Sequence, residues 1–182
     1  MSVEFGGTDG VAQRVAAGVL DAGICSSPPL GLGLTFEPLF RETLGLLVPD
    51  THALADRPVL RVPDLAGHPL LLTEPTCAYR ELTERMFRDQ GVNLDCRVVM
   101  GSTQALVCAA RSGLGAAIVP IIAACPPPAG TTLRGLEGPP IALSVGLVRA
   151  ADAPPPGRAL SALLAELRSH LPRLPAAMAL AA

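Results

Sequence analysis

The sequence has no lysine, no tryptophan and a single tyrosine in 182 residues. All 14 basic residues are therefore arginine, set against 16 acidic ones for a formal net charge of −2. Charged residues make up only 16%, where globular proteins average roughly 25%. A charge-poor, mildly acidic chain has no broad electropositive footprint for a phosphate backbone, so nucleic-acid binding is not expected of these residues. Long hydrophobic runs are also lacking. The longest uncharged stretch, Ser112 to Leu133, is broken by Pro120 and by Pro126-Pro127-Pro128, and its apolar part falls short of the ~20 residues a membrane span needs. Five cysteines (Cys25, Cys77, Cys96, Cys108 and Cys125) are widely spaced with no C-x-x-C. That pattern suggests neither a zinc site nor a disulfide framework, but thiols serving as small hydrophobes. Met1 to Phe5 has no basic n-region, so no signal peptide is expected and the chain reads as soluble and cytoplasmic. What is abundant is apolar material, at 49%. This is enough for a real core and rules out disorder along the whole chain.

Strand-like and helix-like segments alternate, which argues for an α/β fold. Val3 to Phe5 reads as a strand, followed by a Gly6-Gly7 turn and a helix with Thr8 as its cap and Gly18 as its stop. Leu20 to Ile24 reads as a short strand, and Leu34 to Leu39 and Thr43 to Val48 as two further extended segments. Pro63-Asp64-Leu65 is a helical turn opened by proline, and Leu70 to Leu72 a buried strand. Tyr79 to Gln90 is an amphipathic helix, with Leu82, Met86 and Phe87 as its apolar stripe. Glu81–Arg85 and Glu84–Arg88 are its expected i,i+4 pairs, and Gly91 ends it. Leu94 to Met100 is a strand. Ser102 caps a helix carrying Ala105, Leu106, Ala109 and Ala110, which Gly113 ends. Ala116 to Val119 is a strand stopped by Pro120, Cys125 to Gly130 a loop, and Ile141 to Val148 a long strand. Arg158 to Leu171 is a helix with Leu160, Leu163, Leu164, Leu167 and Leu171 on one face, ended by Pro172 and Pro175.

The chemistry on offer is sparse. His52, His68 and His170 have no second ligand or nucleophile at a recognisable spacing, and G-x-S-x-G, P-loop and H-E-x-x-H motifs are all missing. The acidic residues form no obvious pair. No catalytic residue, metal ligand set or cofactor is therefore expected. What the sequence does offer is two strand-to-helix junctions with polar residues at the helix start. These are Thr73-Glu74-Pro75-Thr76-Cys77 and Gly101-Ser102-Thr103-Gln104. A helix N-terminus with free N–H groups and hydroxyls nearby suits an anion. Ordinary capping is the alternative.

Several segments, in this order and spacing, resemble LysR-type transcriptional regulators. Ala17 to Ile24 is similar to their G-x-L-D-x-x-I stretch. Val48-Pro49-Asp50-Thr51-His52-Ala53-Leu54-Ala55 resembles V-P-x-x-H-P-L-A, with Ala53 in place of the usual proline. Val62-Pro63-Asp64-Leu65 matches the turn that follows, and Cys77-Ala78-Tyr79-Arg80 resembles a C-x-Y-R variant. Ala109 to Pro120 is similar to the family's G-x-G helix-to-strand turn. The resemblance implies an effector-binding domain of the type 2 periplasmic-binding-protein-like fold, with two Rossmann-like α/β lobes, two crossover strands and a ligand cleft between them. Mapped by resemblance, residues 1–45 plus 148–182 form lobe I and residues 46–147 form lobe II, with Thr43–Val48 and Ile141–Val148 as the crossovers. The winged helix-turn-helix of the family is not matched. Lobe I is expected to lack its first strand and helix, which marks the chain as a fragment or a truncated product.

The function implied is sensing of a small, anionic metabolite, with Thr73, Thr76, Ser102, Thr103 and Thr8 as candidate effector-binding residues. The implied partners are a small-molecule effector and further copies or intact regulator subunits, with DNA reached only through another domain and no membrane. A solute-binding protein of the same fold is the alternative, disfavoured by the missing signal peptide. Peroxide-sensing members carry a reactive cysteine near Cys77 and a resolving cysteine a turn or two later. Cys77 stands near Arg80, but Leu82 to Gly91 contains no cysteine, so a structural role is expected for Cys77.

Overall fold

The computed structural model describes residues 2–26, 28, 31–137 and 142–170. The chain divides into two compact units. Of the described residues, one takes in those up to Arg41 and those from Leu143 to His170, and the other those from Glu42 to Ala142.

In the first unit, helix α1 (Thr8–Ala16) packs on strand β1 (Gly23–Ser26). Strand β1 runs antiparallel to β7 (Ala142–Ala150), with Gly23 opposite Val148 and Ser26 opposite Val145. Helix α5 (Arg158–His170) closes the unit. Its buried residue is Leu164, flanked by half-buried Leu160 and Leu167. Leu163 is 41% exposed, so the apolar stripe is narrower than its leucines suggest; Leu171, Pro172 and Pro175 lie outside the described residues. Val3 to Phe5 is not a strand. Among the described residues it pairs with no strand, and Val3 and Phe5 are 69% and 99% exposed. Thr8 does not cap α1 either. Gly7 holds the N-cap position and Thr8 is the first helical residue, its hydroxyl 2.6 Å from that of Ser26.

Strand β2 (Leu34–Pro49) leaves the first unit and enters the second. The sequence suggested two segments, because Arg41 and Glu42 interrupt the apolar pattern. The strand stays whole because Glu42 is buried with a hydrogen-bond partner, so the interruption is only apparent. In the second unit β2 is flanked on one edge by β6 (Thr131–Gly135) and on the other by β5 (Ala116–Pro120), both antiparallel. Strand β5 pairs in parallel with β3 (Leu70–Thr73), and β3 in parallel with β4 (Cys96–Met100). Successive residues point to opposite faces. Leu46, Leu70, Leu72, Ala116 and Ile118 join one core with Met86 and Phe87 of α2 (Ala78–Asp89). Leu47, Leu71, Ala117 and Val119 join the other with Leu106, Val107 and Ala110 of α3 (Thr103–Arg111). Both faces are covered, which is why these strands read as unbroken apolar runs instead of alternating ones.

Ser102 does cap α3, accepting a hydrogen bond from the Ala105 N–H at 3.2 Å. Gly113, at φ +82°, supplies the left-handed stop. The pairs Glu81–Arg85 and Glu84–Arg88 are not among the ion pairs of the described residues. Glu84 instead takes Arg80, at 2.6 Å, since Arg80 is 11% exposed and held in place by its neighbours. Two elements were not legible: the single turn α4 (Ile121–Ala124) and the strand β6. One helical turn is too short to show a period. Strand β6 is recognisable only by its pairing with β2, Leu133 opposite Leu47 and Thr132 opposite Val48.

Candidate functional site

Parallel strands end on the same side, and in open α/β sheets ligands bind beyond their carboxyl ends. Here Thr73, the last residue of β3, sits in register with Met100, the last of β4. Each strand leads through a short turn into a helix, β3 into α2 and β4 into α3. The second unit thus brings together four of the five candidate residues, Thr73, Thr76, Ser102 and Thr103. Thr8 belongs to the first unit, where its hydroxyl is engaged by Ser26.

The two helix starts differ. Ser102 satisfies one N–H of α3 from its own cap position. Helix α2 starts at the N-cap Cys77 with no side-chain cap, which leaves its first-turn N–H groups without a side-chain acceptor. Thr76 and Ser102 are exposed, Thr103 is half-buried and Thr73 is 6% exposed. Hydroxyl donors and unused backbone N–H groups at adjacent helix starts are suited to hold a small oxygen-bearing group. Glu74 adds a carboxylate to the candidate residues, which its place in the sequence does not signal. Its Oε1 would lie 2.9 Å from a Cβ placed on Gly101, so Glu74 leans over the second turn from the first. The absence of a side chain at residue 101 makes room for it.

Behind these turns α2 is tied down by successive residues. The Tyr79 hydroxyl donates to the Glu42 carboxylate of β2. Burial pushes the Glu42 carboxyl above the usual carboxylate range, and the hydrogen bond from Tyr79 partly offsets this. Burial and the neighbouring Glu42 together raise the Tyr79 phenol. Arg80 donates to Glu84, to the Thr73 carbonyl at 3.5 Å and to the Cys96 sulfur at 3.1 Å. The cysteine that meets this guanidinium is therefore Cys96, not Cys77. The i,i+3 spacing pointed to the wrong thiol, because Arg80 leans across the sheet towards β4.

Among the described residues no group of three or more His, Cys, Asp or Glu side chains could hold a metal ion. His52 and His68 do meet, with ring centroids 5.4 Å apart. His52 accepts the Leu54 N–H on Nδ1, so the ring is part of the turn after β2. Among the described residues no helix is long and apolar enough to cross a membrane.

Comparison with known proteins places this geometry in a family. The chain is 30% identical over 81 residues to the HTH-type transcriptional regulator YtlI of Bacillus subtilis (strain 168), covering 44% of this chain and 26% of that protein. It is 21% identical over 145 residues to the HTH-type transcriptional activator CmpR of Synechocystis sp. (strain ATCC 27184 / PCC 6803 / Kazusa), covering 80% of this chain and 45% of that one. The chain thus spans less than half the length of either relative. Among solved structures, the regulatory domain of Synechocystis PCC6803 CcmR in complex with 2-PG superposes with a TM-score of 0.81 at 19% identity, covering 93% of this chain and 82% of that one. The effector binding domain of QuiR in complex with shikimate gives 0.77 at 18% identity, covering 92% and 79%. The fold is thus that of LysR effector-binding domains, which is type 2 periplasmic-binding-like. The LysR substrate binding domain matches residues 1–172, and the chain belongs to that family, whose members regulate transcription.

Proposed function

We propose that this chain is the metabolite-sensing part of a LysR-type regulator, and that it holds a small anionic effector at the turns after β3 and β4. The observation that carries this is the register of Thr73 with Met100, which sets two helix starts side by side with Thr76, Ser102 and Thr103 around them. Unused N–H groups and hydroxyls there would bind carboxylate or phosphate oxygens, and the Glu74 carboxylate would accept from a ligand hydroxyl. Relatives with the same fold were solved with shikimate and with 2-PG, which supports a small oxygen-rich ligand. Such a ligand would act by favouring one of two arrangements of the regulator's subunits. DNA contact would fall to another part of the regulator, in the cytoplasm where the DNA is.

Thermal-shift screening of small carboxylates and phosphates, with shikimate and 2-PG among them, tests this. A true ligand raises the melting temperature in step with RT ln(1 + [L]/Kd). The double variant Ser102→Ala/Thr103→Ala is expected to lose most of that shift. An equal shift in the variant would place the ligand elsewhere.

A further inference from the structure

Among the described residues, Glu42 is the one charged residue that is buried, at 5% exposure. A buried carboxylate is costly unless it is paired. A leucine would fill the space without that cost, so packing does not account for a carboxylate at this point of β2. What leucine would lack is an acceptor for the Tyr79 hydroxyl.

Tyr79 is the second residue of α2, the helix that begins without a side-chain cap. A serine or aspartate at the N-cap would steady the first turn, but it would do so by occupying an N–H that a ligand needs. In this protein the turn is steadied from behind. Tyr79 ties it to β2, and Arg80 ties it to the Thr73 carbonyl at the end of β3. Tethers of that kind leave the N–H groups open while fixing their direction.

We propose that Glu42 and Tyr79 are positioning residues of the effector site, their hydrogen bond holding the uncapped first turn of α2 so that its N–H groups stay aimed at the ligand. The proposal rests on the reading of the site given above, and its test separates the two.

Hydrogen exchange of the free protein is the first measurement. Tyr79→Phe is expected to speed exchange of the hydrogen-bonded Cys77 and Glu81 amides, the two of the first turn that have backbone acceptors, by roughly tenfold, as losing the tether to the buried carboxyl would. Glu42→Gln keeps an acceptor for the hydroxyl and is expected to stay near wild type. The Ser102 to Leu106 segment of α3 is expected to be unchanged in both. Unaltered exchange in Tyr79→Phe would overturn the proposal. So would faster exchange spread evenly over the second unit, or a Glu42→Gln variant as loose as Tyr79→Phe. Calorimetric titration with 2-PG and shikimate is the second measurement. If the wild type binds a probe, Tyr79→Phe is expected to bind it about five- to tenfold more weakly, with Glu42→Gln close to wild type. Equal affinity in Tyr79→Phe overturns the positioning role and leaves the site intact. Binding that survives Ser102→Ala/Thr103→Ala overturns the site instead. If neither probe binds, the exchange result alone decides.

Discussion

His52 shows how a residue reading depends on its surroundings. The sequence shows no ligand or nucleophile at a recognisable spacing from it. In the structure it accepts the Leu54 N–H and faces His68 across 5.4 Å. Burial lowers its pKa, and the nearby His68 lowers it further. The sign of the pH effect follows. An unfolded chain takes up this proton near pH 6.5, while the folded one resists it until lower pH. Below about 6.5 the unfolded state therefore binds more protons, and stability is lost as pH falls towards the folded pKa. Protonation at Nδ1 would also remove the acceptor for Leu54. Urea midpoints between pH 7.5 and 5 are expected to fall less steeply for His52→Asn than for wild type. Parallel slopes would show that His52 titrates as freely in the folded protein as in the unfolded one.

Elements in this protein are decided by neighbours as much as by their own residues. Strand β7 shows this at Gly146. A Cβ there would stand 2.4 Å from the Glu37 carbonyl oxygen and 2.6 Å from the Phe36 ring. Both belong to β2, which lies close enough only because residue 146 lacks a side chain. Gly146→Ala is expected to destabilise the protein by about 1–3 kcal/mol, as overpacking does, read as a lower urea midpoint with the slope unchanged. A midpoint equal to wild type would mean that β2 yields without cost. Helix α2 teaches the same point by a different route. Its apolar stripe of Met86 and Phe87 was legible, since period alone sets it. Its ion pair was not, because the rotamer of Arg80 is chosen by Thr73, Glu84 and Cys96 together.

On the scale of the molecule, charge is the quantity that composition reports best. Fourteen arginines face 16 acidic residues, and several arginines are spent on carboxylates, as in Arg57–Asp64, Arg61–Glu137 and Arg168–Glu37. Duplex binding depends on basic residues neutralising phosphates, with a steep salt dependence. The isolated chain is therefore expected to show no saturable shift of duplex DNA at micromolar concentration in a low-salt gel titration. Salt-sensitive, saturable binding at that concentration would assign DNA contact to this domain.

Much of the second unit was legible because its signals are local. The unbroken apolar run Leu70 to Leu72, period 3.6 in α2, the Ser102 cap and the Gly113 stop each depend on residues a few positions apart. Family motifs of the same short range pointed to the fold. The candidate turns were legible as two separate polar helix starts. That they lie side by side was decided by the parallel pairing of β3 with β4, which sets Thr73 opposite Met100, far apart along the chain. Glu74 over Gly101, Tyr79 on Glu42, Arg80 on Cys96 and the joining of β2 into one strand are of the same kind. Hydrophobic period and backbone conformation are properties of neighbouring residues along the chain, so sequence determines them by itself. The partner of a polar side chain is set by which strands lie next to it, and only the tertiary structure decides that.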